Sequence, residues 1–120
     1  MKFLLVLSAV LALTIAETYK TTHDNIDVES IVTNPETLKA FTQCFLDKGE
    51  CNEIAIAFKR VLPEATATAC AKCTPEQKHM LRRYLEELKK TSPEDFEAIK
   101  QEYDPEGQYV DALRAAIADA

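Results

Sequence analysis

Four cysteines, Cys44, Cys51, Cys70 and Cys73, stand in a chain of 120 residues with the spacing C-x6-C-x18-C-x2-C, and their state decides what the chain can fold into. Cysteine chemistry follows the redox compartment, so the N-terminus has to be read first. Met1-Lys2 supplies a positive start, Phe3 to Ile15 is almost wholly apolar, and Thr14-Ile15-Ala16 offers small residues where a signal peptidase reads. The thirteen residues from Phe3 to Ile15, at 1.5 Å each, span about 20 Å, short of the roughly 30 Å of a bilayer core. Residues 1–16 are therefore expected to be a secretory signal cleaved after Ala16. Residues 17–120 are expected to form one secreted, extracellular domain with no membrane insertion after signal removal.

In that setting an even number of cysteines implies two disulfides. A four-thiolate zinc site usually has two short C-x2-4-C knuckles, and only the second pair has that spacing. A thioredoxin-like role for Cys70-Ala71-Lys72-Cys73 needs a strand before the motif, whereas the residues upstream read as helix. Four cysteines allow three pairings. The local one, Cys44 with Cys51 and Cys70 with Cys73, is favoured because each pair brackets a helix junction, at Lys48-Gly49-Glu50 and on the approach to Thr74-Pro75. In the chain-entropy account such small loops contribute about 2 to 2.5 kcal/mol per bridge.

Charge and composition narrow the class. The chain has 14 Lys and Arg against 20 Asp and Glu, a net charge of −6, and losing Lys2 with the signal makes it −7. Its longest basic runs are pairs such as Arg82-Arg83 and Lys89-Lys90, so no nucleic acid is expected as a partner. Two Gly, no Trp and few Val make a poor composition for strands, and an all-α fold is expected.

Helix starts punctuate the chain. Thr74-Pro75-Glu76-Gln77 combines an N-cap Thr, Pro at the first helical position and a capping-box Gln. Ser92-Pro93-Glu94-Asp95 repeats the design, Asn34-Pro35-Glu36 lacks the box, and Asn52-Glu53 is a fourth start. Apolar residues recur at helical spacing after each: Leu38, Phe41 and Phe45; Ile54, Phe58, Val61 and Leu62; Leu81, Tyr84, Leu85 and Leu88; Phe96, Ile99 and Tyr103; Val110, Leu113 and Ile117. With a short turn at Asp27 to Val32 this gives six short amphipathic helices, and Pro63 is placed to kink or break the third.

Catalytic chemistry is hard to find. His23 and His79 lie far apart, and neither belongs to a nucleophile, base and orienter set. No G-x-S-x-G, H-E-x-x-H or glycine-rich phosphate loop is present. The expectation is a protein that is not an enzyme.

The cysteine spacing is accompanied by His23-Asp24-Asn25-Ile26-Asp27-Val28-Glu29 upstream, Leu62-Pro63-Glu64-Ala65 between the pairs, Cys70-Ala71-Lys72-Cys73-Thr74 with Gln77-Lys78, and Tyr103-Asp104-Pro105-Glu106-Gly107-Gln108-Tyr109 downstream. Together these blocks resemble the insect chemosensory proteins, small four-cysteine soluble carriers, over nearly the whole of residues 17–120. The resemblance implies six helices around an apolar channel, disulfides between neighbouring cysteines, no cofactor, and binding of long-chain odorants, pheromones or fatty-acid-like compounds. Carried onto this chain, the channel points to Phe41 in the second helix, Phe96 in the fifth, and Tyr109 and Leu113 around the sixth. Leu62 and Leu85 complete the wall by the same facing argument.

The chain also departs from the family pattern. His23 stands where a Tyr is usual before Asp24-Asn25, Phe41 where a Tyr is usual three residues before the first cysteine, and Phe96 where a Trp is frequent. The residues from Asn52 to Phe58 are more apolar than usual after the second cysteine. The framework should survive these changes, but hydrogen-bonding handles for a ligand are lost.

The expected function is thus a secreted carrier of small hydrophobic ligands, acting as a monomer. The alternative is a secreted signalling or interaction protein docking through a surface apolar patch around Ile54 and Ile56.

Overall fold

The computed structural model describes residues 17–120, so the expected signal at residues 1–16 lies outside the described residues. Six helices follow one another: α1 (Val28–Val32), α2 (Pro35–Phe45), α3 (Glu53–Ala67), α4 (Pro75–Thr91), α5 (Pro93–Tyr103) and α6 (Val110–Ile117). The described residues contain no strand. The all-α expectation of six helices with two local disulfides holds: Cys44 is bonded to Cys51 and Cys70 to Cys73, with Cα atoms 5.0 Å apart in each bridge.

Local chemistry explains where the helices begin. At α4, the Thr74 hydroxyl accepts from the Gln77 N–H at 3.1 Å, and the Gln77 side chain accepts from the Thr74 N–H at 3.0 Å, completing the capping box. Asn34 accepts from the N–H groups of Glu36 and Thr37, and Asn52 accepts from that of Ala55. These bonds satisfy donors that a helix N-terminus leaves without partners.

Two local expectations need correction. The Ser92 side chain makes no capping bond. Ser92 ends α4 as well as preceding α5, with its N–H donating to the Leu88 carbonyl, and Pro93 alone sets the new direction. Pro63 does not break α3, which runs unbroken from Glu53 to Ala67; the missing proline N–H leaves one turn without its bond, on a helix whose Leu62 and Ala65 are buried by packing.

The helices pack as a wrap around α4, which meets α1, α5 and α6, while α2 and α3 pack on each other and both reach α5. Met80, Tyr84 and Leu88 are the buried stripe of α4. Against it lie Leu38, Phe41 and Phe45 of α2, with the Phe45 and Tyr84 rings edge to face at 5.4 Å. Leu113 and Ile117 of α6 form a second, smaller cluster with Ala65 and Cys70. No described helix is long and apolar enough to cross a membrane.

The attachment of α6 rests on a buried carboxylate. Asp104, 3% exposed, accepts from the backbone N–H groups of Gln108 at 2.8 Å, Tyr109 at 3.0 Å and Val110 at 2.9 Å. Burial pushes its carboxyl upward, but the bonds from Tyr109, Val110 and Gln108, aided by the charge of Lys100, more than offset this and hold it below the usual aspartate value. The turn between them closes through Gly107 at φ +68°, a conformation that costs glycine little.

Candidate functional site

Apolar faces from six helices converge on two chambers. The larger, about 70 Å³, lies between α1, α2, α3 and α4, with Val32, Phe41, Phe45, Phe58, Val61 and Met80 among its walls and Tyr19 of the N-terminal segment across one side. The smaller, about 30 Å³, lies between α3, α4, α5 and α6, walled by Leu85, Phe96, Ile99, Tyr103, Val110 and Leu113 among others. Leu62, Leu81 and Tyr84 line both. These three side chains are the partition of one divided apolar interior.

The sequence-derived residues fall into place unevenly. Phe41 lines the larger chamber, Leu85, Phe96 and Leu113 line the smaller, and Leu62 lies in the partition. Tyr109 lines neither: its side chain is 40% exposed, and its N–H is one of the three held by Asp104. Tyr84, at the centre of the partition, was visible only as one apolar position among many. Nothing local distinguishes a tyrosine facing a chamber from one in solid core, because that difference is made by α2 and α5 across the gap.

The polar groups in the walls divide in the same way. Thr42 donates to the Leu38 carbonyl at 2.9 Å, so the Tyr84 hydroxyl, 2.7 Å from the Thr42 oxygen, gives its proton to Thr42. Burial is the main cause of the raised pKa of Tyr84. Tyr19 donates to Glu64 at 2.9 Å, and Tyr103 donates to the Phe45 carbonyl at 2.7 Å. The Gln77 side-chain amide donates to the Lys20 carbonyl and to Asp24. Every one of these donors is used within the protein. Among the described residues the Thr66 hydroxyl, in the smaller chamber, has no such partner but is not closed off from contact, and Lys100, which lines the same chamber, has its one ion pair with Glu97 at 3.7 Å.

The described residues contain no group of three or more His, Cys, Asp or Glu suited to a metal ion. What the site offers is apolar volume enclosed by aliphatic and aromatic side chains. This defines an all-helical binding protein with an internal site for apolar ligands.

Residues 19–111 match the model of the insect pheromone-binding family A10/OS-D, and the chain belongs to that family. It is 36% identical over 93 residues to the allergen Tha p 1 of Thaumetopoea pityocampa, covering 78% of this chain and 74% of that protein. With the ejaculatory bulb-specific protein 3 of Drosophila melanogaster it shares 32% over 97 residues, 81% of this chain and 77% of the other. Among solved structures it is similar to a chemosensory protein in complex with bromo-dodecanol, with TM-score 0.74 and 28% identity over 86% of this chain and all of that one. It is also similar to the antennal chemosensory protein A6 of Mamestra brassicae, with TM-score 0.65 and 28% identity over 78% of this chain and 94% of that one. The family is one of binding proteins for small hydrophobic ligands.

Proposed function

We propose that this protein is a secreted carrier that takes the alkyl chain of a long-chain odorant, pheromone or fatty-acid-like compound into its divided interior. The observation that carries the reading is the pair of chambers with almost wholly aliphatic and aromatic walls, sharing Leu62, Leu81 and Tyr84. The relative that holds bromo-dodecanol supports the same ligand class. Two disulfides fit an oxidising, extracellular setting.

The energetics are adequate. Each buried methylene contributes about 0.8 kcal/mol, so ten supply about 8 kcal/mol before association costs, and micromolar binding is within reach. Space is the tighter constraint. An engineered cavity of about 150 Å³ accommodates benzene, whereas the larger chamber measures about 70 Å³. A chain of ten or more carbons therefore has to push the partition aside and join the two chambers.

The docking alternative draws little support. Ile54 packs against the core, which leaves Ile56 and Tyr109, at 38% and 40%, as the exposed large apolar residues among those described. The carrier reading is tested by displacing an apolar fluorescent probe with straight-chain compounds of about 10 to 18 carbons. Micromolar displacement that varies with chain length is expected; a folded protein that binds none of them refutes the reading.

A further inference from the structure

Three cations from three helices surround one aromatic ring of the smaller chamber. Lys89 of α4 lies 5.6 Å from the centroid of Phe96, Arg114 of α6 5.8 Å and Lys100 of α5 5.9 Å. Each distance is within cation–π range, and none of these positions is near another in sequence. Among the described residues Lys89 and Arg114 form no ion pair. Lys100 has only its contact with Glu97, whose side chain is 66% exposed, and such rim pairs are weak and readily exchanged. Of the other nearby carboxylates, Asp104 is occupied by three backbone N–H groups, Glu86, which shares a surface hollow with Arg114, is paired with Arg82 and Arg83, and Asp95, next to Phe96 in the chain, is paired with Lys39.

The same chamber holds Thr66, 6% exposed and without a hydrogen-bond partner for its hydroxyl among the described residues. Among the described residues no fully buried side-chain polar atom lacks a partner, so the Thr66 hydroxyl keeps some access and a bound group can pair with it. The larger chamber offers no comparable feature: Tyr19, Gln77 and Tyr84 have already given their donors to the protein.

We infer that the smaller chamber is the head-group end of the site and that it selects an anionic head, the carboxylate of a long-chain fatty acid, with Thr66 and Lys100 meeting the oxygens and Lys89 and Arg114 supplying charge. The inference rests on the carrier reading and sharpens it. The tail passes the partition into the larger chamber, where only apolar contacts are on offer. A neutral head group finds the Thr66 hydroxyl and can accept a hydrogen bond from Lys100 but lacks the charge attraction to the three cations, so the class preferred is acid over alcohol and methyl ester.

The experiment compares tetradecanoate, tetradecanol and methyl tetradecanoate as displacers of one apolar probe at neutral pH. The wild-type protein should bind the acid about tenfold more tightly than the ester, the size expected of one partly exposed charge-assisted contact. Lys100→Met should reduce that ratio several-fold, and the triple variant Lys89→Met/Lys100→Met/Arg114→Met should abolish it by weakening the acid far more than the ester. Thr66→Val should lower affinity for the acid and the alcohol. Equal binding of acid and ester by wild type overturns the proposal without any variant, as does a ratio that survives in a folded triple variant. If none of the three compounds binds, the carrier reading fails and this inference with it, whereas strong ester and alcohol binding with no preference for the acid refutes the inference alone.

Discussion

The two chambers are built from the same kinds of side chain but are closed by different means. The larger is covered by α1 and the N-terminal segment, where burial of Val28 and Val32 is supplemented by polar ties at the surface. Arg83 grips Glu29 through bonds of 2.6 and 2.9 Å, holding the Glu29 carboxyl below its usual value, and Gln77 reaches the Lys20 carbonyl. The smaller is covered by α6, which is held from inside by Asp104 and by burial of Leu113 and Ile117. Solvent-exposed ion pairs contribute little and are easily broken, whereas a buried, fully bonded carboxylate is costly to disturb. The expectation is that α1, only five residues long and without a buried carboxylate anchor, is the wall that gives way to admit a tail, and α6 is the wall that stays.

The largest effect is expected where that comparison is most direct. Asp104→Ala removes the acceptor for three backbone N–H groups, and α6 should come loose, exposing Leu113 and Ile117. Amide exchange should accelerate throughout α6 while the α4 amides stay protected; equal protection in both helices would show that packing alone holds α6. The same residue sets a pH dependence. A carboxylate whose folded pKa lies below its unfolded value, about 3.9 for aspartate, adds stability that is complete above that value and lost as pH falls through the folded pKa. With Asp104 lowered, wild type should lose stability in acid, and Asp104→Asn should flatten that limb when unfolding is measured from pH 6 to pH 2. The residual slope would belong to Glu29 and Glu86, both also lowered, chiefly by hydrogen bonds to Arg83 and Arg82.

Next in size are aromatic truncations, one for each chamber. Phe41→Ala and Phe96→Ala should each cost about 3 to 5 kcal/mol in denaturant unfolding. Their binding signatures should differ. Phe41→Ala enlarges the larger chamber and should shift the preferred chain length upward for acids and esters alike. Phe96→Ala should also lower the preference for the acid, because the ring around which Lys89, Lys100 and Arg114 gather is gone. Leu113→Trp should obstruct the smaller chamber, at about 1 to 3 kcal/mol for overpacking. Identical binding changes in all three variants would mean that the partition does not separate two functional spaces.

The bridges come third. Replacing Cys44 and Cys51 by alanine should cost about 2.5 kcal/mol, and replacing Cys70 and Cys73 about 2 kcal/mol, by loop-closure entropy. Cys73 lines the larger chamber and Cys44 and Cys51 line neither, so the second pair alone should alter probe affinity at a temperature where both variants are folded. An equal change in both would place the effect in general loosening of the shell.

The fold was largely legible in the sequence because its determinants are local. Thr74-Pro75-Glu76-Gln77 carries its own capping box, and the tight cysteine spacings staple adjacent corners. Ser92 misled because the same residue had to end α4, a constraint from the preceding turn that its own motif does not show. The site was legible only as a set of apolar positions. Periodicity listed Leu81 and Leu85 and passed over Met80, yet Met80 is the buried residue and the two leucines are half-buried chamber walls. A stripe of apolar residues at helical spacing is the same whether the facing helix touches it or stands off by a few ångströms. Asp104 was equally hidden, since no short-range motif relates a residue ending α5 to N–H groups four to six positions later.

Tyr109 should give the smallest effect and the sharpest reading of the boundary between the chambers and the solvent. Its position beside Gly107 suggested a phenol guarding the mouth, whereas its side chain is 40% exposed and its role is through the backbone N–H that Asp104 accepts. An alanine keeps that N–H, so Tyr109→Ala should change stability by no more than about 0.5 kcal/mol, the range of ordinary surface substitutions. Affinity for straight-chain acids should then stay within about twofold of wild type, because no wall of either chamber is removed. A loss of about tenfold in affinity at unchanged stability would mean that the ring turns inward and covers the ligand once it is bound. The mouth of the smaller chamber would in that case be closed by the start of α6, and the rigid wall of the pair would carry a movable edge.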